Sequence, residues 1–233
     1  MKTYRVLARL LAYPDADLVA ATAELAAVLE GEGLLPRPQR RALRPLLAEL
    51  AAGDVLDLQA GYVDLFDRVR SLSLNLFEHV HGEGRERGQA MVELVELYRS
   101  RGLDVTAREL PDHLPLVLEF LSLEPAAEAA RLLAETAPVL ALLAARLDKR
   151  GSAYAAVFHA LLHLAGAGTA AVADDAAADE DSPEALDRAW EEAAVAFGPD
   201  GAPGIARGGD AAGCGRAQEW VARMQGAREG AGR

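Results

Sequence analysis

The side chains that could do chemistry here are histidines and carboxylates, and two histidine pairs come first. Glu78-His79-Val80-His81 sets two imidazoles two residues apart. On a helix such positions point apart, so only an extended segment could bring His79 and His81 to one metal ion. His159 and His163 are four apart, on one helix face, at the spacing of zinc proteases. The general-base glutamate that should follow the first of them is missing; Ala160 stands there. Zinc takes three or four ligands, and neither pair nominates a third. The chemical reading is an all-α metal-dependent hydrolase using His79, His81, His159 or His163, which would carry stoichiometric metal. The plainer reading is a set of hydrogen-bonding histidines that shape a loop and a half-buried helix face.

Nucleophilic chemistry finds no setting. No serine lies in a nucleophile elbow, and Gly82-Glu83-Gly84 is too short for a phosphate loop and comes after no strand. The one cysteine, Cys214, lies in a glycine-rich stretch with only Arg216 as a basic neighbour. A single cysteine also excludes an intramolecular disulfide or a thiolate metal cluster within one chain.

A further set of residues suits binding. In Glu109-Leu110-Pro111-Asp112-His113, two carboxylates flank a rigid proline turn that ends in a titratable histidine. One reading is a helix cap at Asp112 with a satisfied histidine. The other is an acidic rim on a groove, able to receive arginines of a peptide. Charging of His113 would then alter affinity between about pH 6 and 7.5. Tyr62 and Phe66, four apart, can share one helix face. Arg85 and Arg87 stand at the start of a helix, where the dipole disfavours cations. They either pair with Glu78, Glu83 or Glu86 or hold a loop or a partner group.

Periodicity supplies the elements that must position these residues. Leu7, Leu10 and Leu11 mark a first helix stopped by Tyr13-Pro14-Asp15. Leu18, Leu25, Val28 and Leu29 mark a second that ends near Gly31 and Gly33. Leu43, Leu46, Leu47 and Leu50 mark a third, with Pro45 implying a kink or a late start. Asp54 can cap a fourth, whose stripe is Leu58, Tyr62, Leu65, Phe66 and Val69. Ser71 to Phe77 alternates like a strand, yet no second strand is evident to pair with it. An extended loop or short helix pressed on the core is expected there. Further helices are expected over about 85–101, from Asp112 through Leu121, twice over 124–150, and over 152–164. The domain reading is a helical domain over 1–165, an acidic linker over 166–182, and a short helix with a weakly ordered glycine-rich tail over 183–233. Within that tail only 217–225 reads as helix, with Trp220 and Met224 on one side.

Composition agrees. The 233 residues are 51% hydrophobic and rich in Ala and Leu, which favours an all-α bundle of eight to ten helices over a sheet. The net charge of -12 argues against nucleic acid and anionic membrane surfaces as partners, and favours solubility or a basic peptide. No apolar run reaches the roughly 20 residues needed to span a bilayer, and no signal peptide opens the chain, so a cytoplasmic location is expected.

Several blocks, taken in order, carry a resemblance. They are Tyr13-Pro14, Tyr62-Val63-Asp64-Leu65-Phe66-Asp67, Leu74-Asn75-Leu76-Phe77-Glu78-His79-Val80-His81-Gly82, Arg85-Glu86-Arg87-Gly88-Gln89-Ala90-Met91, Glu109-Leu110-Pro111-Asp112-His113-Leu114-Pro115 and Leu118-Glu119-Phe120-Leu121. Together, over roughly 4–165, the chain resembles the nitrate reductase molybdenum cofactor assembly chaperones, or delta-subunit family, within the redox-enzyme maturation chaperones. Gly84-Arg85-Glu86-Arg87-Gly88 departs mildly from the family's Ser-Arg-Asp-Arg-Gly.

The resemblance implies an all-α chaperone without enzymatic activity or cofactor of its own. Its client would be the nitrate reductase alpha subunit, bound through the N-terminal peptide. The apo-enzyme would be held ready for molybdenum cofactor insertion, and for iron–sulfur loading, before membrane docking. The residues expected to serve the peptide are Tyr62, Phe66, Phe77, Glu78, His79, His81, Arg85, Arg87, Glu109, Pro111, Asp112, His113 and Glu119. A homodimer is compatible with such a bundle. A third reading is a structural adaptor that stays with the mature reductase.

Overall fold

Leucines at three- and four-residue spacing force helix after helix to bury one face. The computed structural model describes residues 1–79, 85–105, 109–167 and 221. Helix α1 (Lys2–Leu10) is the centre of the bundle and packs on α2 (Ala16–Glu32), α7 (Leu114–Leu123) and α10 (Ala155–Leu164). Its Leu7 and Leu10, with Leu11 beyond it, have no solvent exposure. Fully burying each such leucine contributes about 1.5–3 kcal/mol.

The caps are those expected from the residue types. Asp15 opens α2 by accepting the Leu18 N–H at 2.7 Å, and Gly33 (φ +67°) closes it in the left-handed region. Asp54 opens α5 (Val55–Tyr62) through the Leu56 N–H at 2.9 Å. The expected third helix is α4 (Arg44–Ala52), preceded by a short helix, α3 (Arg37–Ala42), that the leucine spacing did not mark. Pro45 sits in the first turn of α4, so the late start is the one observed. Helices α6 (Arg85–Ser100), α8 (Ala126–Glu135) and α9 (Ala137–Lys149) complete the bundle, with α9 against α10. The all-α class is therefore the observed one. Among the described residues no helix is long and apolar enough to cross a membrane.

Two departures matter for the site. After Tyr62 the chain widens into a π-helical turn, Val63–Asp67, closed by the Arg68 N–H on the Val63 carbonyl at 2.9 Å. Such turns insert a residue into a helix and re-aim the side chains beyond it. The alternating run becomes two 3₁₀ turns, Arg70–Leu72 and Leu76–His79. Between them Asn75 forms one isolated antiparallel bridge with His113. The Leu76 N–H donates to the Asp112 carbonyl at 3.1 Å, and the Leu114 N–H to the Leu74 carbonyl at 2.9 Å. The run thus finds backbone partners in the turn before α7, not in a strand.

The acidic linker and tail expected after Ala165 lie outside the described residues, apart from Gly166, Ala167 and Val221.

Candidate functional site

Four aromatic side chains from three distant segments meet in one cluster. Tyr62, the last residue of α5, stacks edge-on against Tyr13 at 5.6 Å and tilts against Phe66 at 4.9 Å. Tyr154, just before α10, closes the group edge-on to Phe66 at 5.1 Å and to Tyr62 at 6.4 Å. Edge-to-face pairs of this kind stabilise by about 0.5–1.5 kcal/mol each beyond burial. Tyr62 also donates its hydroxyl proton to the Leu11 carbonyl at 2.8 Å. Burial pushes its phenol far above the usual tyrosine value, so it stays neutral. Tyr62→Phe is expected to lower stability by about 1 kcal/mol by leaving that carbonyl unpaired, as a thermal melt would register.

A carboxylate pair and a histidine adjoin the aromatic group. Asp67, at the end of the π turn, and Glu109, before the proline turn, are both solvent-exposed. Partial burial, and then the Glu109 charge, raise the Asp67 carboxyl above its ordinary range; His113 opposes this. Burial holds His113 below the usual imidazole value, although Glu109 and Asp67 both favour its charged form. Two carboxylates therefore stand near a histidine whose burial disfavours its charged form, next to aromatic faces. The arrangement can hold a cation, a guanidinium above all, by charge and by ring contact. The surface that Tyr13, 47% exposed, shares with the exposed Asp67 and Glu109 is the candidate notch.

Beneath the notch the predicted residues do structural work. Asp112 is fully buried, and its Oδ2 accepts the Phe77 N–H at 2.9 Å. That corrects two expectations: Asp112 does not cap α7, where His113 is the N-cap, and it is not on a rim. The physical reason is Phe77, whose N–H in an irregular buried run needs an acceptor. Burial raises the Asp112 carboxyl; the Phe77 N–H and the Arg87 charge pull against it. Pro111 uses its carbonyl to accept the Tyr98 hydroxyl at 2.9 Å. Tyr62, Phe66 and Phe77 are 3–5% exposed, so they form a floor and core, not an open helix stripe.

The remaining predicted residues separate. Glu78 pairs with Arg87 at 3.4 Å, as the plainer reading of Arg87 had it. A ring nitrogen of His79 lies 2.7 Å from the Ser73 carbonyl and donates to it. Glu119 is exposed on α7. His81 and the Arg85 side chain lie outside the described residues. His159 meets Asp148 at 2.8 Å, and His163 is exposed. Among the described residues no three metal-ligating side chains converge.

Sequence reasoning missed Asp67 as a partner of His113, and it missed Tyr13 and Tyr154 as walls. Asp67 and Tyr13 did stand within the blocks that carry the family resemblance. Nothing near Tyr154 marks it, because its role is set by where α10 packs.

Comparison with known proteins bears on what such a notch serves. The family described as the nitrate reductase delta subunit matches residues 15–160. The chain is 49% identical over 201 residues to the nitrate reductase molybdenum cofactor assembly chaperone NarJ of Escherichia coli strain K12, covering 84% of each. It is 40% identical over 206 residues to the probable assembly chaperone NarW of the same strain, covering 87% of this chain and 86% of that protein. It is 32% identical over 160 residues to the probable chaperone NarJ of Bacillus subtilis strain 168, covering 69% and 86%.

Proposed function

Because the chain belongs to the nitrate reductase delta-subunit family, we propose that it is an assembly chaperone for the nitrate reductase catalytic alpha subunit. It binds the N-terminal peptide of the apo alpha subunit and keeps the enzyme open for molybdenum cofactor insertion before membrane attachment. It acts in the cytoplasm, by binding alone, with no cofactor of its own.

The observation that carries this reading is the pairing of Asp67 and Glu109 with an aromatic floor on a helical bundle. A peptide helix that is apolar on one side and basic on the other matches both halves. Opposite charge on a chain of net charge -12 would also speed encounter. A small, partly polar interface gives modest affinity, as a factor that must release its client requires.

Calorimetry with a synthetic peptide copying the alpha-subunit N-terminus should show binding at about micromolar Kd or tighter, near 8 kcal/mol. Absence of binding to the folded protein would overturn the reading. The pH dependence has a fixed sign. A protonated His113 puts a cation near Asp67 and Glu109 and competes with the peptide's own. Affinity therefore holds at neutral pH and falls on acidification below the ordinary imidazole range. Burial of His113 moves this window below the one that free histidine would give. A flat profile removes His113 from the mechanism.

A further inference from the structure

Four arginines crowd a short part of this acidic chain. Arg37, Arg40, Arg41 and Arg44 fall within eight residues, and no carboxylate stands between Glu32 and Glu49. They lie on α3 and the first turn of α4. The fold uses one of them fully. Arg40 donates its Nε–H to Glu30 Oε2 at 2.8 Å and a terminal N–H to the Leu35 carbonyl. Arg44 reaches the other Glu30 oxygen only at 3.8 Å, and its side chain is 72% exposed. Arg37 and Arg41 are exposed and carry no ion pair among the described residues. Arg37 and Arg44 open α3 and α4, where the helix dipole disfavours a cation. The distant, solvent-screened Glu30 contact offsets little of that for Arg44 and nothing for Arg37.

Beside the arginines a cleft opens between α2 and the α3–α4 pair. Ala26, Ala27, Leu29 and Leu47 line it, together with Arg40 and Arg44. Its volume is about 190 Å³, against roughly 300–1,000 Å³ for small-molecule sites. That is room for one side chain, not for a nucleotide. Four guanidiniums on a chain of net charge -12 are also too short a run to follow a nucleic-acid backbone, which rewards the neutralising of many phosphates in a row.

We propose that this face docks an acidic protein segment, a helix whose carboxylates meet Arg37, Arg41 and Arg44 and whose single apolar side chain enters the cleft. Guanidinium forks pair with carboxylates two bonds at a time, and an apolar anchor in a small pocket fixes the register. The face is opposite in charge to the Asp67–Glu109 notch, lies on other elements, and does not depend on the peptide-binding reading of that notch. Where the notch holds a basic peptide, one molecule holds two segments of opposite charge at once.

The probe is a helical peptide with glutamates flanking one central leucine, titrated into the isotope-labelled full chain and followed by NMR. Shifts centred on residues 26–47 are expected. The same peptide with glutamine for glutamate should bind about tenfold more weakly. Arg37→Ala with Arg41→Ala should weaken the acidic peptide about tenfold. Arg5→Ala with Arg99→Ala removes as much charge from other exposed positions and should leave binding unchanged. Ala27→Leu, at an exposed position of the cleft, should weaken the leucine peptide and spare its alanine counterpart. Circular dichroism checks that each variant is folded. No shifts, shifts centred elsewhere, equal losses in the two arginine pairs, or tighter binding of a thymidine oligonucleotide at the same face would overturn the proposal. Equal losses for the two peptides in Ala27→Leu would overturn the role of the cleft.

Discussion

Neutralising both exposed carboxylates of the notch, by Asp67→Asn with Glu109→Gln, is expected to weaken the alpha-subunit peptide by roughly 30- to 100-fold while leaving the fold intact. Each carboxylate acts on a cation beside it, and a charge-assisted contact across an interface is worth about 1.5–3 kcal/mol. Both are exposed in the free protein, so solvent screening discounts the two together to about 2–3 kcal/mol, which is the 30- to 100-fold stated. Both side chains are exposed and carry no ion pair among the described residues, so their removal leaves nothing unpaired in the core. The fold should be untouched or slightly relieved, because the Glu109 charge already disfavours ionisation of Asp67. Titration calorimetry at two salt concentrations checks the claim. Wild-type affinity should fall with salt, while the double variant should be weak and nearly salt-independent. Equal affinity in the two proteins would remove the carboxylates from the interface.

Asp112→Ala is expected to cost about 3 kcal/mol of folding stability, the largest single loss in this part of the molecule. It strips the Phe77 N–H of its acceptor inside a buried run and removes an anion beside Arg87. Asp112→Asn should behave differently. It keeps the acceptor for Phe77 and puts an N–H₂ where Oδ1 now lacks a partner among the described residues. Its cost should stay within about 1 kcal/mol. The raised carboxyl also sets a pH dependence. A group that binds its proton more tightly when folded contributes stability at low pH. That contribution is lost as pH rises from about 4 through the raised value. Asp112→Asn removes that slope, so the gap between wild type and Asp112→Asn should change with pH while Asp112→Ala stays well below both. Denaturant melts of the three proteins at several pH values decide this. A mild loss in Asp112→Ala would show that the Phe77 N–H is satisfied another way.

Local chemistry made some of this structure legible. The caps at Asp15 and Asp54, the left-handed Gly33 and the leucine spacing of α1 and α2 are properties of neighbouring residues. Contacts across long separations were not legible in the same way. Asp112 looks like a helix cap because an acid before a helix usually is one; it becomes a buried acceptor because the 71–77 run, remote in sequence, presents the Phe77 N–H to it. The π turn after Tyr62 has no local signature, and it breaks the stripe that made Tyr62 and Phe66 look like an exposed face. Tyr154 joins them only because α10 packs beside α1. Charge at Glu109 was visible from the start, whereas its coupling to Asp67 and His113 belongs to the packed molecule.

The aromatic notch draws on Tyr13, Tyr62, Phe66 and Tyr154, which lie almost as far apart as the helical domain allows. No growing chain on the ribosome possesses it until residue 154 has emerged and α10 has docked. A stop codon before that point leaves a fragment with leucine-rich helices but without the proposed client site. On the proposed reading the chain is thereby barred from engaging a client while still unfinished, and only molecules that have passed their own folding take part in building another protein.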